Sequence, residues 1–116
     1  MKKALLVKVN GEKLIVYPKL KKGFEYAELR DFVGGIIQIV PLGKGRELVC
    51  HDEGKLIGLS KNEVATKIWK EAYPIDEYPD NNDELIVGDI LITGRNLEAL
   101  LYWTLFMPHI IKYGAL

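Results

Sequence analysis

The sequence predicts an α+β fold: a single domain over residues 1–116, with a mainly antiparallel, twisted sheet of five or six strands and two or three helices packed on one face. Three observations predict it. Short β-branched runs are separated by turns of hairpin length that carry glycine. Other segments repeat their apolar residues at helical spacing. At 116 residues, the chain has the size of one domain that can bury a core without staples.

The first hairpin comes from Lys3 to Val9 and Lys13 to Tyr17, which flank Asn10-Gly11. Both of those residues tolerate the positive φ of a type I′ turn. Pro18 ends the second run because it cannot donate to a ladder. Phe24 to Val33 predicts a helix: Tyr26, Leu29, Phe32 and Val33 share a face, and Glu25, Glu28, Arg30 and Asp31 stay outside. Gly34-Gly35 stops it with a left-handed cap. Ile36 to Val40 is the next strand, closed by Pro41; Leu42 to Arg46 is a hairpin loop, and Glu47 to His51 returns. After the turn Asp52-Glu53-Gly54, Lys55 to Leu59 is expected as a third strand of the meander.

Ser60 and Glu63 stand in the S-x-x-E relation of a capping box. Val64, Ala65, Ile68, Trp69 and Ala72 then form the apolar stripe of a second helix that Pro74 ends. Asp76 to Glu84 reads as an acidic loop, and Leu85 to Thr93 as a last strand interrupted at Gly88. Gly94 breaks that strand, and Asn96 is placed to cap a third helix from Leu97 to Met107. This helix, within the segment 95–116, is apolar nearly all round.

Composition excludes some functions. Lys+Arg and Asp+Glu are both 16, so the chain lacks the basic excess of a protein that binds nucleic acid by neutralising phosphates. The lysines Lys2, Lys3, Lys19, Lys21 and Lys22 read as solvated hairpin ends. The lone Cys50 permits no intrachain disulfide, which suits a reducing cytosol. No cleavable leader is expected, and the apolar run from Leu97 to Met107 is too short to cross a bilayer, which takes about 20 residues. The expected location is cytoplasmic, with no membrane contact.

Several pieces carry a family resemblance. They are Phe32-Val33-Gly34-Gly35 with its following strand and Pro41, Cys50 to Leu59, Asn62 to Trp69, and Ile86 to Gly94, and their order and spacing carry the likeness. Over Leu29 to Gly94 the chain resembles the domain-of-unknown-function family numbered 3846, small proteins of phages and actinobacteria. The resemblance implies an accessory product of phages or mobile elements. It supplies no catalytic residue, and Arg95 to Leu116 falls outside it.

No catalytic centre is expected, and no metal or cofactor. Cys50 and His51 are adjacent, so a strand sends them to opposite faces, the wrong arrangement for a nucleophile and its base. His109, just after Pro108, reads as a helix-terminal residue. Asp80, Asn82 and Glu84 alternate as calcium ligands would, but Leu85 stands where that loop needs glycine. Gly43-Lys44-Gly45-Arg46 joins two strands rather than a strand and a helix, so it reads as a turn and not as a phosphate cradle. Lys44 and Arg46, with Ser60 and Lys61 at a helix N-terminus and Trp69 as a stacking face, are the candidates for a small anionic ligand such as a nucleotide.

Tyr102, Trp103, Phe106 and Met107 are the candidates for an interface with a protein partner or a second copy, because such residues are enriched at interface cores. The leading expectation is a non-enzymatic accessory protein that binds and occludes a partner protein, such as a host defence or regulatory factor. The alternative is an oligomeric module that sequesters a nucleotide or other small anion.

Overall fold

A computed structural model describes residues 3–74, 76–78 and 85–100. The element order is β1 (Ala4–Val7), β2 (Lys13–Val16), α1 (Tyr26–Val33), β3 (Ile37–Gly43), β4 (Arg46–His51), α2 (Glu63–Ala72) and β5 (Ile90–Gly94). The five strands form one antiparallel sheet in the order β2-β1-β5-β4-β3. The last strand therefore enters between the two hairpins, with Leu5 opposite Ile92 on one side and Leu48 opposite Ile92 on the other. The α+β class and the mainly antiparallel sheet follow as expected.

The helices do not share one face, and this corrects the expected packing. Leu5, Val7, Leu48, Cys50, Ile90 and Ile92 face α2 through Val64, Ala65 and Ile68. Ala4, Leu6, Val49 and Leu91 face α1 through Leu29, Phe32 and Val33. The physical reason lies in the central strands. Ala4-Leu5-Leu6-Val7 and Ile90-Leu91-Ile92 are apolar at every position, so neither side of the sheet can be left in water. Each side is covered by its own amphipathic helix. Leu97 and Leu100, within the helical residues 97–100, join the core on the α2 side.

Local chemistry sets the turns. Lys44 and Gly45 have φ of 55° and 74° between the paired residues Gly43 and Arg46, the signature of a type I′ turn. In the first hairpin the positive φ falls on Gly11, while the Asn10 side chain accepts the Glu12 amide instead of taking a left-handed backbone. Pro41 does not end β3; the strand runs on to Gly43 with a register shift, because β3 is an edge strand and needs no donor there. The left-handed Gly34 caps α1 as expected.

The start of α2 differs from the expected capping box. Its N-cap is Asn62, whose side chain accepts the Ala65 amide at 3.0 Å. Ser60 lies outside the helix, bonding through its carbonyl to Gly88 N–H. The expected strand from Lys55 to Leu59 is also absent. Residues 52–58 form consecutive turns, closed by Ile57 N–H to Glu53 O and Leu59 N–H to Gly54 O.

Candidate functional site

Beside the edge strand β3, on the α2 side of the sheet, lies a cleft of about 520 Å³. Gln38 and Val40 of β3, with Cys50 of β4, contribute the sheet side of its lining. One wall is aromatic. Trp69 of α2 and Tyr73 at the C-cap of that helix have ring centroids 5.5 Å apart, and Tyr78 meets Tyr73 edge-on at 5.2 Å. The opposite rim is the turn after β4, with Asp52, Glu53, Lys55 and Leu56.

Three contacts hold this geometry. The Tyr73 hydroxyl donates to the Pro41 carbonyl, tying the end of α2 to the edge of the sheet. Thr66 bonds both backbone groups of residue 86, its hydroxyl accepting from Ile86 N–H at 2.9 Å and donating to Ile86 O at 3.2 Å. The rim turn is fixed by His51, whose Nδ1 accepts the Glu53 amide at 3.0 Å. Cys50 is buried on the α2 side, while the His51 ring lies where a side chain on Gly35 would otherwise project. Burial pushes the Cys50 thiol above its ordinary range; Asp52 adds to the shift and Lys55 opposes it.

The residues proposed for an anionic ligand do not converge. Lys44 and Arg46 line a second cleft of about 340 Å³, with Leu42, Ile68, Glu71 and Leu100. The Arg46 guanidinium there donates to the carbonyls of Arg95 at 2.9 Å and Asn96 at 3.0 Å, so it fastens the end of β5. Lys61 pairs with Glu63 at 3.5 Å, and the Asn62 side chain occupies the first-turn amide that an anion would use. Trp69 lies in the aromatic cleft, apart from all of these. Tyr102, Trp103, Phe106 and Met107 lie outside the described residues, as do 79–84 of the acidic loop and His109.

Sequence reasoning missed Asp52, Glu53, Tyr73 and Tyr78 as neighbours of Trp69. The i, i+4 spacing of Trp69 and Tyr73 was the one local signal available. Asp52 and Glu53 enter only through the fold. Among the described residues, no three His, Cys, Asp or Glu side chains gather closely enough to hold a metal ion. No described helix is long and apolar enough to cross a membrane.

The arrangement places three aromatic rings and two carboxylates beside an edge strand. The chain matches the family described as "Domain of unknown function (DUF3846)" over residues 1–100, and it belongs to that family. The match includes α1, α2, the strands β1 to β5 and the cleft. No curated protein and no solved structure matches the chain.

Proposed function

We propose that this chain is a non-enzymatic cytoplasmic accessory protein, of the kind carried by phages and mobile elements, that binds and occludes a partner protein. One observation carries the reading. Leu56 is 85% exposed and Ile57 58% exposed, side by side on the turn that rims the aromatic cleft. A hydrogen-bonded turn that displays two large aliphatic side chains matches a preformed contact, because little entropy is lost when it docks. Ile36, Ile39 and Tyr78 are further large apolar residues with substantial exposure. Leu56 and Tyr78 line the cleft itself, and burying such side chains favours association, since it returns roughly 25 cal/mol per Å².

The reading as an anion-sequestering module has less support, because Arg46 and Lys61 are engaged and Trp69 lies in a different cleft. The test uses the intact chain and a Leu56→Asp, Ile57→Asp double variant as baits in affinity capture from host cells, with light scattering on both. The expected result is a protein retained by the parent and lost by the variant, with equal thermal stability of the two baits. Recovery of the same proteins by both baits, with both monomeric, overturns the reading.

A further inference from the structure

The ladder parity of β3 fixes which of its backbone groups face away from the sheet. Asp52 N–H donates to Ile36 O at 2.8 Å, and Ile37 pairs with His51, so Ile36, Gln38 and Val40 direct their polar groups toward β4. Ile37, Ile39 and Pro41 therefore direct theirs outward. At Pro41 the edge is closed twice: proline has no N–H, and its carbonyl already accepts from Tyr73. At Ile37 and Ile39 the outward N–H and C=O groups have no partner among the described residues, and Ile39 is 49% exposed. This is a short pairing edge with a stop at one end.

The cleft lies beside that edge on the α2 side. An added strand would send alternate side chains to that face, next to Gln38 and Val40, which line the cleft. There such a side chain meets Trp69, Tyr73 and Tyr78, with Asp52 and Glu53 on the rim. Lys55 offsets one of the two carboxylates, which leaves the rim with a net negative charge from Asp52 and Glu53. Aromatic faces with carboxylates recognise a cation on a long stem.

We propose that β3 accepts an extended segment of a partner protein as an added strand, and that a lysine or arginine of this segment enters the cleft. The proposal rests on the partner-binding reading above and specifies the chemistry of the partner. A second copy pairing through its own β3 does not fit, because Ile37-Gln38-Ile39-Val40 offers no basic residue to the carboxylates.

The test pans the intact chain against a displayed library of random dodecapeptides. Enriched sequences are expected to place Lys or Arg among β-branched residues. A synthetic copy of the best one should bind roughly tenfold more weakly to an Asp52→Asn, Glu53→Gln double variant of unchanged thermal stability. The same copy, N-methylated at alternate amides, should lose binding in one of its two registers. Enriched peptides without basic residues, equal affinity for the double variant, or indifference to methylation in both registers each overturn the proposal. So does an empty selection; if affinity capture still depends on Leu56 and Ile57, the partner-binding reading then stands without the added strand.

Discussion

Asn62 and Val7, 55 positions apart in the chain, are joined by a 3.0 Å hydrogen bond from the side-chain amide of one to the carbonyl of the other. The same amide donates to Gly88 O at 2.9 Å, and the side-chain oxygen accepts the Ala65 amide at 3.0 Å. One side chain, 1% exposed, thus caps α2, closes the end of β1 and holds the glycine before β5. Replacing it by alanine removes a cap and leaves two carbonyls without their donor. The expected loss for Asn62→Ala is about 3 kcal/mol, read by denaturant unfolding. A loss within experimental error of zero would show that the three bonds are not used.

Asn62→Asp separates these roles by pH. The carboxylate can still accept from Ala65, but it faces the Val7 and Gly88 carbonyls that previously received N–H groups. Only the protonated acid can donate there, so the folded-state pKa rises above the unfolded value of about 3.9. A group raised in this way contributes fully below its unfolded pKa and loses that contribution as pH rises through its folded pKa. Relative to the parent, the variant should weaken steadily from pH near 4 upward. A difference that does not change with pH would sink this assignment.

Much of this fold was legible locally, and the failures have physical causes. Gly34 and Gly45 sit at turn positions of positive φ that favour glycine, and the stripe from Val64 to Ala72 marks α2. The continuous apolar runs of β1 and β5 already carried the signal for two-sided burial, although α1 and α2 were expected on one side. Lys55 to Leu59 resembles a strand because it is apolar and bounded by glycine, yet it forms turns that expose Leu56 and Ile57. Ser60 and Glu63 satisfy the capping-box pattern, but Asn62 wins because its amide also bonds β1 and Gly88. The insertion of β5 between the hairpins is non-local, as is the meeting of Gln38, Asp52, Trp69 and Tyr78 at one cleft. No short-range pattern encodes either.

Gly94 should tolerate no side chain. Its φ is 119°, and a Cβ there would stand 2.0 Å from the Gly45 carbonyl oxygen. Backbone cannot rotate aside as a side chain can, so Gly94→Ala must displace the β4 turn or the end of β5. The expected cost exceeds the roughly 1–2 kcal/mol of left-handed strain alone. Thermal unfolding checks it, and an unchanged midpoint would contradict the close approach.

Cys50 should behave as an inert thiol in the folded chain. Burial raises its pKa above the ordinary 9.0, with a further push from Asp52. Because the raised value belongs to the folded state, the neutral thiol contributes stability below the ordinary range, and that contribution is lost as pH rises through the folded value. Reaction with an aromatic disulfide reagent near pH 8 should be at least roughly a hundredfold slower in the folded chain than in denaturant. Equal rates would mean that the thiolate is accessible.

Pro41 should keep β3 from pairing with copies of itself. It sits at an outward-facing position of the edge, removes one donor there, and offers a carbonyl that Tyr73 already holds. Pro41→Val restores an outward N–H and extends the pairing stretch of Ile37 and Ile39 by one position in a strand-forming residue. Tyr73→Phe releases the carbonyl while leaving the ring on Trp69 and Tyr78. The double variant should therefore associate at concentrations where the parent does not, with a rise in mass by light scattering and a gain in extended structure by infrared absorption. Tyr73→Phe alone should cost about 1 kcal/mol, the net worth of one hydrogen bond. If the double variant has the mass of the parent at every concentration, the closed end of the edge does not limit pairing, and the outward parity assigned to Ile37, Ile39 and Pro41 is wrong.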